Sequence, residues 1–185
     1  MAAEQSQIAL NWLMKNVFPL WSTVGIEPVS GAFAESISVD GVAQYSGRRA
    51  LVQARQIYSF VQAYKLQIIN LDTVTRIVEK AVGHLISHYA TKSGAYIHSV
   101  DIHGNPLNQD LDLYTQAFVI FGLAQAYDIL RKLEIKHEAL KVLKYLETNR
   151  RNKFGGYTEI KNGQNYYQSN PQALSNRHSR RCTHR

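Results

Sequence analysis

With 185 residues, 45% of them hydrophobic, the chain suits one domain with a packed core and is not a disordered polymer. No apolar run reaches the roughly 18 residues that a membrane span needs and no signal peptide opens the sequence, so a cytoplasmic protein without membrane contact is expected. The net charge of +7 rests largely on Arg177, Arg180, Arg181 and Arg185; taking these four from the 21 basic residues leaves 17 against 14 acidic ones, too even a balance for a nucleic-acid surface.

Residues 4–24 read as a first helix, with Ile8, Trp12, Leu13, Val17, Leu20 and Trp21 near helical spacing. Pro19 is expected to kink that helix or end it early. A Gly-, Ser- and Pro-rich stretch follows, with an alternating segment that predicts a short hairpin closed at Asp40-Gly41. A second helix is predicted over about 48–66. The third has the cleanest stripe, Val74, Ile77, Val78, Ala81, Val82, Leu85 and Tyr89. A fourth is predicted over about 110–131 and a fifth over about 135–149, with Ala139, Leu140, Leu143 and Leu146 on one side. The lone Cys182 leaves no disulfide framework and no thiolate zinc cluster.

The chain repeats itself. At an offset of 63, Gln53, Ala54, Ile57, Tyr58, Gln62, Ala63 and Tyr64 fall on Gln116, Ala117, Ile120, Phe121, Gln125, Ala126 and Tyr127. Between the helices, Gly-x-aromatic recurs as Gly31-Ala32-Phe33, Gly94-Ala95-Tyr96 and Gly155-Gly156-Tyr157, and Asp40-Gly41 is echoed by Asp101 to Gly104. The unit is a pair of long helices plus a structured loop, and such units bury their inner faces only against neighbours, in a solenoid or a closed toroid. The loops precede helices of one phase and so are expected to gather at one end, where sites are commonly built. One exchange breaks the repeat: Arg55 stands where the second copy has Phe118. An arginine in place of an aromatic packing residue suggests work other than packing.

QARQIYSF, DLDLYTQAFVIFGLAQAY and GGYTE followed by a chain reaching SNP, spread from about residue 8 to Pro171, resemble the N-acylglucosamine 2-epimerase family, which includes cellobiose 2-epimerases and mannose isomerases. The resemblance implies an all-α (α/α)6 barrel of six helical hairpins with small β-hairpin loops, here an incomplete half of about five to six helices. It implies proton transfer next to the carbonyl of an aldose, free or N-acylated, with a small-molecule sugar as partner and neither cofactor nor metal. The family's essential arginine lies in its Q-x-R motif, which here makes Arg55 the catalytic candidate. Tyr114 and Asn170 stand where the family lines its sugar pocket, and His98 is a further substrate-binding candidate at the pocket mouth.

The resemblance fails after Asn170-Pro171, where the family continues into an apolar helix with a catalytic histidine. This chain runs through Gln172 to Asn176 into a basic tail. Residues 1–171 are therefore expected to be the N-terminal half of the barrel, and 172–185 an aberrant tail from truncation or frameshift. The family's two proton-transferring histidines belong to the other half, and His178 and His184 in the tail are not given their role. The isolated chain is expected to be inactive and to self-associate or pair with a separate C-terminal half.

Each candidate has a plainer reading. Arg55 could edge an apolar stripe, one turn from Leu51 and Tyr58, and snorkel to water. Tyr114 could be a core aromatic and Asn170 a turn residue. Asp110 and Asp112 resemble a glycosidase carboxylate pair but sit where a helix start needs capping. His84 and His88 have the spacing of a helix metal site, yet without a third ligand they read as a surface pair. Glu35 and Glu159, at equal phase in two loops, suggest loop packing. Two rivals remain: an (α/α)6 glycoside hydrolase using Asp112, and a non-catalytic helical-repeat binding scaffold.

Overall fold

The computed structural model describes residues 2–161 and 164–165, with side chains from 4 to 159; Asn170 and the tail at 172–185 lie outside the described residues. Helix α1 (Ala2–Trp12) passes through a π-helical segment (Leu13–Val17) into α2 (Phe18–Thr23). Pro19 therefore does not end the first helix. The wider turn just before it takes up the strain that a ring without an N–H brings to an ordinary helix interior. Helices α3 (Ala50–Lys65) and α4 (Leu71–Tyr89) form one hairpin, and α5 (Leu113–Leu130) and α6 (Leu133–Asn149) the next. Asn70 caps α4 and Asp112 caps α5, each through its side chain. For this reason α5 begins three residues later than its periodicity predicts.

The repeat governs the packing. Helices α3 and α5 lie side by side, and residues 63 apart meet along their length: Tyr58 against Phe121 (ring centroids 4.8 Å), Gln62 bonded to Gln125 (3.4 Å) and Lys65 paired with Asp128 (3.2 Å). A constant offset means the two helices run parallel and in register. Gly122 permits the approach, since a Cβ there would lie 2.8 Å from both Cα and Cβ of Ala54. Helix α4 packs on both α3 and α5, and α6 on α5, which leaves an inner layer of α3 and α5 and an outer layer of α4 and α6. Helix α2 continues the outer layer through Phe18, which meets Phe60 edge-on. The core between the layers holds Phe33, Ile57, Phe60, Val78, Leu85, Tyr96 and Leu123.

All three loops carry the same furniture. Strands β1 (Ser36–Ile37) and β2 (Ala43–Gln44) form the hairpin expected at Asp40-Gly41, with Gly41 in the left-handed region. Strand β3 (Arg48–Arg49) pairs with β4 (Ser99–Val100), which pairs with β5 (Pro106–Asn108). The third loop repeats the hairpin as β6 (Ile160–Lys161) with β7 (Gln164–Asn165). The β3–β4 pairing ties the first loop to the second. Buried arginines tie further: Arg48 Nη2 donates to the carbonyls of Asp101 (3.2 Å) and Ile102 (2.7 Å), and Arg150 Nη2 to that of Leu111 (2.5 Å). The loops thus share one end, the N-terminal end of α3 and α5, as the repeat predicts.

Candidate active site

The glutamine of the Q-x-R phrase holds the loops down. Phe33 N–H donates to Gln53 Oε1 (2.8 Å) and Gln53 Nε2 returns a bond to the Phe33 carbonyl (2.9 Å). Gln116 treats Tyr96 in the same way, at 2.8 and 2.7 Å. Both amides are buried, so Phe33 and Tyr96 have their backbone groups satisfied without water. The sequence paired these glutamines as repeat equivalents but gave no sign of this clamp. Reading each Gln with the aromatic 20 residues upstream is the signal that could have found it.

Two residues on from Gln53 the helix has turned, and Arg55 emerges on the exposed face of the inner layer. Its guanidinium lies over the Phe118 ring, 5.6 Å from the centroid, and no ion pair or hydrogen bond engages it among the described residues. Phe118 also takes the edge of Tyr114, with centroids 4.8 Å apart. Arg55 and Tyr114 are thus brought together around one ring. Tyr114 is 57% exposed and so not the core aromatic of the plainer reading, although its equivalent, Leu51, is buried. Leu51 consequently does not share the face of Arg55, whereas Tyr58 does. The exposed face therefore carries Arg55, Tyr58, Tyr114, Phe118 and Phe121: one cation with its donors free, set in aromatic rings.

His98 lies at the loop end of the inner layer, beside the starts of α3 and α5. Its carbonyl accepts the N–H of Ala50, the first residue of α3 (2.9 Å), and its Nδ1 lies 3.1 Å from Asp112 Oδ2 at the start of α5. Asp112 caps α5 by accepting the Thr115 N–H (2.7 Å). Burial opposes its charge, but the Thr115 N–H and hydroxyl and the His98 ring outweigh that and hold the carboxyl below its ordinary range. Asp110 is no cap: its N–H and carboxylate bond Asn108 within the preceding turn. Glu35 accepts the Arg49 N–H and pairs with its side chain (2.5 Å), while Glu159 accepts the Leu113 N–H, both as loop fastenings.

The surface pair expected at His84 and His88 is not there. His84 is 5% exposed, because 77, 81, 84 and 88 follow one helical stripe and that stripe faces the core. Burial, the Arg48 cation and His88 push its imidazole down to about 4, and neither ring nitrogen has a partner. His88 Nδ1 lies 3.2 Å from the Gly104 carbonyl. Among the described residues no cluster of three or more His, Cys, Asp or Glu could hold a metal, and no helix is long and apolar enough to cross a membrane.

Helical hairpins in two layers, loops gathered at one end and an arginine among aromatics below them define an α/α-hairpin repeat protein. The model of the N-acylglucosamine 2-epimerase family matches residues 31–178, and the chain belongs to that family. A mannose-6-phosphate isomerase of Rhizobium meliloti is 28% identical over 80% of this chain and 38% of its own length. A cellobiose 2-epimerase of Bacteroides fragilis is 23% identical over 82% of this chain and 37% of its own. Among solved structures, the cellobiose 2-epimerase of Bacillus thermoamylovorans superposes with a TM-score of 0.76 at 21% identity, over 88% of this chain and 42% of that one. The fold is thus that of the (α/α)6 epimerases, and the chain spans about two fifths of the length of these relatives.

Proposed function

We propose that the chain forms one wall of a sugar epimerase or isomerase site that moves a proton next to the carbonyl of an aldose. The observation that carries this is Arg55: a guanidinium over the Phe118 ring, with no hydrogen bond or ion pair among the described residues, below the shared loops. Removing the proton beside a sugar carbonyl leaves an enediolate, whose negative oxygens need fixed donors in a water-poor setting. A planar guanidinium offers five such donors in a rigid fork. Tyr114, one helical turn from Phe118, supplies a hydroxyl for the sugar, His98 closes the rim, and Asn170 is assigned to the pocket on the family motif. The sugar is a free or N-acylated aldose, with mannose or a phosphorylated relative the leading case.

The groups that carry the proton are assigned to further hairpins of the barrel, supplied by a second half of the fold. The chain by itself is therefore read as inactive, and as self-associating or pairing with that half. The hydrolase alternative draws less support, since Asp112 is engaged by Thr115 and His98 and Asp110 is turned into its own loop. The test joins this chain to the second half of a family member and follows deuterium entering C2 of mannose in heavy water. Arg55→Ala should slow that exchange by about 10²–10³-fold, as loss of an oxyanion donor does. Exchange at the unaltered rate would end the proposal.

A further inference from the structure

The loop fastenings differ between copies in a way packing does not require. In the first copy Glu35 in the loop pairs with Arg49 at the helix start. Shifted by 63, the same two positions hold His98 and Asp112, with the polarity of the pair reversed and one partner now an imidazole. The third loop returns to a glutamate, Glu159, which accepts the N–H of Leu113 at the start of α5. Among the described residues, the second copy is the one that sets an imidazole against a carboxylate at these positions.

The dyad fixes an orientation. An ionised carboxylate accepts and cannot donate, so the contact at 3.1 Å places the imidazole proton on Nδ1. In the neutral ring Nε2 is then a bare acceptor, and no protein group meets it among the described residues. The side chain is 29% exposed, between the first residues of α3 and α5, at the loop end of the face that holds Arg55 and Tyr114. We propose that Asp112 is a positioning residue, which holds His98 with its proton on Nδ1 so that Nε2 accepts a hydroxyl of the sugar bound against Arg55. The ligand in this inference rests on the sugar reading above; the orientation of the ring does not.

Ring-nitrogen NMR on this chain joined to the second half of a family member, with His98→Gln to identify the signals, reads both parts. The wild-type His98 should show a protonated Nδ1 and a bare Nε2. Asp112→Asn keeps a good helix cap and should lose that preference, which a purely capping Asp112 would not. Added mannose should shift the Nε2 signal, and His98→Gln should weaken mannose binding about tenfold. A proton found on Nε2, or an unchanged tautomer in Asp112→Asn, would overturn the inference and leave the sugar reading intact. Mannose that perturbs the Arg55 side chain but not Nε2 would do the same. Mannose that perturbs no residue would remove the sugar reading and this inference with it.

Discussion

Gln53 and Arg55 sit two residues apart in one helix and serve opposite ends. The Gln53 amide is sealed inside, and its removal strands a buried N–H and a buried carbonyl of Phe33. Gln53→Leu should cost about 2–4 kcal/mol, read as a lower denaturant midpoint. Arg55→Ala forfeits only an exposed contact with Phe118 and should leave that midpoint nearly unmoved. His84 makes stability depend on pH. Its folded value of about 4 lies below the ordinary 6.5, so the unfolded chain binds the extra proton between those limits. Stability from this group is therefore complete above about pH 6.5 and declines as pH falls towards 4, by up to about 3 kcal/mol. The groups around it are Arg48, His88 and Glu27. Glu27, Asp101 and Asp112, held below their ordinary values, add their own losses only in more acid solution. Denaturation curves between pH 7 and 4.5 should show the decline, and His84→Leu should flatten it.

At the scale of elements, two helix glycines look alike in sequence and are opposite in space. Gly122 lies where α5 touches the backbone of α3, while a Cβ at Gly83 in α4 would meet nothing within 4 Å. Gly83→Ala should gain about 0.5–1 kcal/mol of helix propensity. Gly122→Ala should lose about 1–3 kcal/mol as the helices are forced apart. Thermal unfolding of the two variants tests the pair together. Such differences mark where the sequence could be read and where it could not. The order of the helices, the three loops and their common end follow from apolar spacing and Gly-x-aromatic phrases, because both are local; the start of α5 does not, because Asp112 caps it. Arg48 and Arg49 are identical on paper, yet strand alternation buries the first against the loop carbonyls and leaves the second to Glu35. His84 was misplaced because its polarity was weighed above its position on the stripe. Arg55 stands out through the sister copy that carries Phe118 in its place and through the Q-x-R phrase.

At the scale of the molecule, the apolar surface is not fully covered. Tyr114 and Phe121 lie open on the inner face, Leu133, Leu140 and Leu143 on α6, Ile8 and Trp12 on α1, and Met14 on the π-helical segment after it. Helix α5 is apolar around most of its circumference, a pattern of helices enclosed on all sides. Exposed patches of this extent drive association. Sedimentation of the isolated chain should therefore show concentration-dependent self-association, and a dye for apolar surface should bind it; a well-behaved dye-silent monomer would favour the scaffold alternative. The register of the inner layer has a last consequence. Helices related by duplication and laid parallel bring every residue opposite its own counterpart. Amide can face amide and ring can face ring, but a cation cannot comfortably face its twin. Lys65 meets Asp128 rather than lysine, and Arg55 meets Phe118 rather than arginine. Symmetry thus limits these two neighbouring helices to a single guanidinium at that level, and whichever copy carries it obliges the other to hold something other than a cation.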